Sequence, residues 1–208
     1  MIVPTAPSRP PGRPRSLLAD KAIQDAAIDL FVELGFEVMS MEGVAARAGV
    51  GKTTIYRRWD SKEELVMEAV TCHFTSIEDP DTGSLREDLV HLLTTFQQTA
   101  VNTPIGRVFP RVVAEVADGS ALGRLYSRRV IEPRRQMLRS IFRRGVERGE
   151  LPAGIDIELG IELIMGPLML RRLFGRVPAR GVRAMSEHHV DVVLAGLATA
   201  TDRDRVRA

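Results

Sequence analysis

The sequence has 208 residues, 44% hydrophobic and 27% charged, which is globular composition with room for one large domain or a small domain plus a larger one. Its formal net charge of +2 is too small to name a partner, and a single cysteine, Cys72, excludes an internal disulfide. No apolar run approaches the roughly 20 residues of a membrane span, and the N-terminus lacks a signal-peptide core, so a reduced, cytoplasmic protein with no membrane partner is the expectation.

Residues 1–15 are proline-rich and carry Arg9, Arg13 and Arg15 without an acid, which reads as a flexible basic arm. From Leu17 the pattern changes. Leu18, Ala22, Ile23, Ala26, Ala27, Leu30, Phe31 and Leu34 recur at three- and four-residue steps and predict an amphipathic helix that Gly35 stops. Ser40 is placed to cap a short second helix, Met41 to Ala48, ended by Gly49. A third runs from about Lys52 to Arg58. Ser61 opens a fourth with the capping box Ser61-Lys62-Glu63-Glu64. The turn-rich stretch "EDPDTGS", Glu78 to Ser84, marks a domain boundary.

Beyond it, helices are predicted at about Leu85–Val101, Ile105–Val116, Ala121–Arg148, Ile157–Phe174 and Met185–Thr199, with a polar, frayed tail over 201–208. No alternating strand pattern of useful length occurs. The fold class is therefore all-α. A small N-terminal domain spans 16–77, and a larger C-terminal domain spans 84–200.

The segment "ARAGVGKT", Ala46 to Thr53, fits a permissive phosphate-loop pattern. A phosphate loop needs a buried strand before its glycine turn. Here Ala45, Ala46 and Ala48 favour helix, and no later segment resembles a strand able to supply a magnesium-binding aspartate. The spacing suits two short helices meeting across Gly49, with Val50 in the corner and Ile55 facing inward, which is a helix-turn-helix over about 40–59. Its second helix presents Lys52, Thr53, Thr54, Tyr56, Arg57 and Arg58, donors suited to phosphates and base edges in a major groove.

The stretch "LFVELGFEVMSMEGVAARAGVGKTTIYRRWDSKEEL" resembles the DNA-binding domain of the TetR family of bacterial transcriptional regulators. The likeness covers about 50 residues, with Tyr56, Trp59, Ser61, Lys62, Glu63 and Leu65 in register. Gly51 stands where the family has a serine cap, and Gly43 sits inside the second helix. The resemblance implies a DNA-binding regulator, a repressor, and no enzyme. It implies that Tyr56 and Lys62 position phosphates.

Thr53 and Thr54 are candidates for base-edge or phosphate bonds, or one of them only caps the helix. Lys52, Arg57 and Arg58 are backbone or base contacts unless solvated. Trp59 reads as a packing anchor between the third and fourth helices. Phe31, Leu34, Phe36, Val44, Val50, Ile55 and Leu65 are assigned to the core. Arg13 and Arg15 in "PGRPRS" suit a minor-groove hook, or belong to a spacer.

The C-terminal part resembles the effector domain of one subgroup of the same family. Ile157–Phe174 is apolar nearly all round and must be covered on every side. A homodimer is expected through Ile161, Leu168, Val190, Val193, Leu194 and Leu197 in a four-helix bundle. Gly166-Pro167 should kink that helix. Arg134, Met137, Ile141, Met165 and Met169 are candidates for the pocket of an unidentified small-molecule effector, although methionine at helical spacing also suits plain core. The histidines show no metal-ligand spacing, no catalytic constellation recurs, and no cofactor is expected. The partner is double-stranded DNA with a near-palindromic operator.

Overall fold

The computed structural model describes residues 17–72, 79–102, 104–178 and 180–207, and among them every regular element is helical. The elements are α1 (Leu17–Leu34), α2 (Met41–Arg47), α3 (Lys52–Tyr56), α4 (Lys62–Thr71), α5 (Leu85–Asn102), α6 (Ile105–Ala117), α7 (Ala121–Tyr126), a π-helical turn (Ser127–Ile131), α8 (Glu132–Glu147), α9 (Ile157–Leu173) and α10 (Val182–Arg207). The basic arm, with Arg13 and Arg15, and His73 lie outside the described residues.

Caps fix the boundaries. Ser40 Oγ accepts from Gly43 N at 3.1 Å and Ser61 Oγ accepts from Glu64 N at 3.2 Å. Asp156 Oδ1 accepts from Leu159 N at 3.0 Å. Each satisfies an amide that the first helical turn leaves open. Only half of the expected capping box forms, because the Glu64 carboxylate turns away to a bidentate pair with Arg129 (2.8 and 2.9 Å).

The long helix expected over Ala121–Arg148 is not uniform. It holds the π turn immediately before Pro133, which occupies the first turn of α8. Proline has no amide to donate and its ring crowds the carbonyl four residues back, and a widened turn relieves both. The last helix also differs from expectation: it starts at Val182 and continues through the polar tail to Arg207.

Two apolar clusters hold the chain. The first joins α1–α4, through Ile23, Phe31, Val44, Ile55, Leu65 and Val70, to Val108 and Val112 of α6, Leu122 and Tyr126 of α7, and Val130 of the π turn. The second packs α5, α8, α9 and α10 through Leu89, Leu93, Ile141, Phe142, Ile164 and Val190. The N-terminal bundle is thus seated on α6, α7 and the π turn rather than hung from a linker. Arg107 Nη2–Asp29 (3.2 Å) adds a polar tie between α6 and α1.

Leu34, expected in the core, is 47% exposed at the end of α1. Phe31, one turn earlier, is wholly buried instead, edge-on to Phe36 with centroids 6.2 Å apart. The dimer set also needs correction. Ile161, Leu168, Val190, Val193 and Leu197 are buried in the chain's own second cluster, which leaves them little surface for a partner, whereas Leu194 packs against that cluster and stays partly exposed. The large exposed apolar residues of these helices are Leu159, Leu163, Leu170 and Leu173 on α9, Phe174 just after it, and Val192 on α10. α9 runs continuously as one helix through Pro167.

Candidate nucleic-acid interface and ligand cavity

Gly49 adopts φ +66°, a left-handed conformation that costs glycine little. The chain then reverses so that Val50 N donates to Ala45 O at 3.0 Å. This turn sets α3 against α2, with Ile55 wholly buried between them. No strand precedes Gly51, only helix α2 and this turn, so the phosphate-loop reading fails on its own structural requirement. Gly51 is the N-cap of α3 and no side chain caps it, so neither Thr53 nor Thr54 does so. Gly43 has a local role: a Cβ there would stand 3.2 Å from the capping Ser40 Oγ.

The outer edge of α3 exposes Lys52, Thr53, Tyr56 and Arg57, with Thr54 half-buried. Tyr56 OH donates to Glu42 Oε1 at 2.9 Å. That bond raises the phenol's pKa. The Glu42 carboxyl is lowered by its own backbone amide first, then by Tyr56 and the nearby Lys52.

Two expected DNA ligands point elsewhere. Arg58 turns inward: its side chain is 8% exposed and its Nε lies 2.6 Å from Asp20 Oδ1. The contact is close but poorly angled, because neither atom meets hydrogen-bond geometry, so it is an ion contact rather than a bonded fork. Lys62 donates to Phe36 O at 2.8 Å, lies within 3.4 and 3.5 Å of Glu37 O and Met39 O, and sits 4.4 Å from the Phe36 centroid. It ties α4 to the loop before α2. Trp59 is buried, with Nε1 donating to Glu68 Oε2 at 2.9 Å, as a packing anchor should be.

A cavity of about 370 Å³ opens among α5, α6, α7, the π turn, α8 and α9. Its volume falls in the range of small-molecule sites. Arg134, Met165 and Met169 line it, as the sequence suggested. Met137 does not: it lines a smaller void beside Phe96 and Leu92. Ile141 lines neither and is fully buried core. Sequence reading missed the walls from α6 (Phe109, Val112, Val113, Val116) and the aromatic pair Phe96 and Tyr126.

Arg172, one turn beyond Met169, is 5% exposed and is not among the residues lining the cavity. Its guanidinium carbon lies 4.4 Å from the Phe96 centroid and 4.5 Å from that of Phe109. Burial lowers its pKa to about 10 and lowers that of Arg134 as well. The remaining arginines of α8 behave as a solvated face laced by acids. Arg135 and Arg139 hold Glu158 at 2.5–2.6 Å and depress its pKa to about 2. Arg144 forks onto Asp79.

Among the described residues no cluster of histidine, cysteine or carboxylates is built to hold a metal. None of the helices is long and apolar enough to cross a membrane.

A helix-turn-helix with an exposed second helix, seated on a helical domain that holds a cavity, is the architecture of a DNA-binding regulator. Comparison with known families agrees. Residues 23–69 match the model of bacterial regulatory proteins of the tetR family, and residues 79–193 match a tetracyclin repressor-like C-terminal domain. The chain is 34% identical over 163 residues to the uncharacterized HTH-type transcriptional regulator YdeS of Bacillus subtilis, covering 78% of this chain and 82% of that one. It is 32% identical over 139 residues to the DNA-binding transcriptional repressor TetR of Mycobacteroides abscessus, covering 66% and 72%. The fold is that of MexZ, a repressor from Pseudomonas aeruginosa, with a TM-score of 0.69 at 22% identity over 88% of this chain and 96% of MexZ. The chain belongs to the TetR family and is a helix-turn-helix transcriptional regulator, not an enzyme.

Proposed function

We propose that this regulator represses transcription as a homodimer, each subunit placing α3 in the major groove of one half of a near-palindromic operator. A small molecule in the cavity releases it. The observation that carries the reading is the partition of α3: Ile55 is buried, while Lys52, Thr53, Tyr56 and Arg57 stand in solvent. Thr53 and Thr54 are placed for base edges, and Lys52, Tyr56 and Arg57 for phosphates. To take a phosphate, Tyr56 must exchange its Glu42 acceptor. The arm with Arg13 and Arg15 would lie in the adjoining minor groove. The two-fold contact would use the exposed faces of α9 and α10, about Leu163, Leu170 and Val192, in place of the buried residues first expected.

Mobility shifts on a defined operator and on random duplex test this. Tyr56→Phe should weaken both about equally, by roughly three- to tenfold, and leave the salt slope unchanged, because the phenol carries no charge to displace a counterion. Thr53→Ala or Thr54→Ala should cost about 1–3 kcal/mol on the operator while leaving random duplex unaffected. Equal operator binding by all three variants overturns the assignment.

Release follows from shared residues. Val112, Tyr126 and Val130 line the cavity and also belong to the apolar cluster of the N-terminal bundle. A ligand pressing on them shifts the seat of α4. Arg129, in the same π turn as Val130, clamps Glu64 in the first turn of α4. That pair is exposed on both sides and contributes about 0–1 kcal/mol. Arg129→Ala should therefore leave ligand-free operator affinity within about twofold and reduce the ligand's effect on it by about two- to fivefold. Titration of operator affinity against ligand checks this; an unaltered ligand effect removes the clamp from the mechanism.

A further inference from the structure

We propose that this cavity admits an uncharged, largely apolar molecule, which enters past Glu162 and Gly166 of α9. The ligand class rests on the cavity being the effector site.

The chamber is apolar within. Its buried lining residues are all aliphatic or aromatic, from Phe96 and Phe109 to Leu138 and Ile161. Three charged residues also line it, and each is already served. Arg134 lies 5.3 Å from the Phe96 centroid and is not a free donor. Arg135 is held by Glu158, Nη2 to Oε2, at 2.6 Å. Glu162 is exposed, so solvent screens its charge. An ion entering the chamber would shed its water for walls that offer, among the described residues, no free counter-charge, and that loss exceeds what apolar contact returns. An uncharged apolar body gains from every wall. The rings of Phe96, Phe109 and Tyr126 favour an aromatic one. The volume of about 370 Å³ holds on the order of a dozen to twenty non-hydrogen atoms.

Exposure places the mouth. Of the lining residues only Glu162 and Gly166 are exposed, and they stand one turn apart on one stripe of α9. Arg135 and Arg139 lace α8 to Glu158, one turn before Glu162, so the opening begins where that lacing ends. Gly166 keeps it clear. Glycine inside a helix is unfavourable, and packing does not require it here, because a Cβ would meet nothing within 4 Å. A large side chain at this position would stand in the opening.

The test is isothermal titration of the full-length protein with 2-naphthalenemethanol, 2-naphthoate and 2-naphthylmethylammonium, which share one ring system and differ in the head. The alcohol should bind at least about tenfold tighter than either ion. Gly166→Trp, whose indole fills the opening, should weaken the alcohol by about tenfold or more, while Gly166→Ala stays within about twofold. Glu162→Trp is the second blocking variant should the first not fold, with the same expectation. An ion that binds as tightly as the alcohol overturns the uncharged class. Alcohol binding that survives tryptophan at both positions overturns the mouth. Binding by none of the three overturns the ligand class. Binding of the alcohol that tryptophan blocks, with operator affinity unchanged at saturation, keeps the ligand class and removes its role as effector.

Discussion

Gly123→Ala should lower the melting temperature by roughly 4–8 °C. A Cβ on Gly123 would stand 2.1 Å from Glu115 O, 2.5 Å from Glu115 C and 2.8 Å from Val116 Cα. Those atoms are the backbone of α6, which cannot swing aside as a side chain does. α7 would have to withdraw from α6, taking with it Leu122 and Tyr126 of the N-terminal cluster. Overpacking of this kind costs about 1–3 kcal/mol or more, and with backbone on the receiving side the upper figure applies. A chain of this size loses about 2–4 °C per kcal/mol. Helix propensity works in the opposite direction, favouring alanine by about 1 kcal/mol, so the sign of the change decides which effect wins. At Gly166, also inside a helix, a Cβ meets nothing within 4 Å. Gly166→Ala should stay within roughly 3 °C of the parent. A far-UV circular dichroism melt of both variants settles it; a Gly123→Ala protein as stable as its parent would mean α6 and α7 do not touch there.

Neither glycine can be told from the other in the sequence, because the difference lies in what another helix brings to it. The same boundary separates what was legible from what was not. Ser40, Ser61 and Asp156 cap the helices that the sequence assigned to them, since capping is settled within three residues. The helix-turn-helix was legible because a left-handed glycine, small alanines and the inward Ile55 are local. Residues whose role depends on a distant partner were not legible. Arg58 follows Arg57 in an exposed-looking run, yet Asp20, thirty-eight positions earlier, draws it inside. Glu64 had the right spacing for a capping box, and Arg129 takes its carboxylate.

α9 shows the limit most clearly. An all-apolar helix states that every face is covered, but period alone cannot say which face meets the chain's own core. Ile161 and Leu168 are taken by α8 and α10, leaving Leu159, Leu163 and Leu170 outside. The pocket was half legible for a related reason. Met165, Met169 and Arg134 share stripes with core residues, but its opposite wall, Phe109 to Val116, comes from a helix remote in sequence.

Arg58→Met should destabilise the protein by about 2–4 kcal/mol and leave its affinity for random duplex DNA unchanged below the melting transition. Removing one member of a buried pair leaves the other charge without compensation, which costs more than the pair contributes. Arg58 is 8% exposed and Asp20 22%, so water reaches the acid better than the base, and the cost falls below that of a fully enclosed pair. The methionine retains most of the arginine's volume, so the loss measures charge rather than a cavity. Replacing both partners, Arg58→Met with Asp20→Leu, should recover at least half of it, because an apolar pair of similar size does not need solvation. Arg57, one residue earlier and exposed, should show the opposite pattern: Arg57→Ala leaves the melting temperature within a few degrees and lowers the salt slope of duplex binding by about 1. Melts and salt titrations of the four proteins, including the parent, separate the two arginines. If Arg58→Met melts with the parent and loses a unit of salt slope, the side chain reaches DNA, and the inward pair with Asp20 is not what holds α3 against α1.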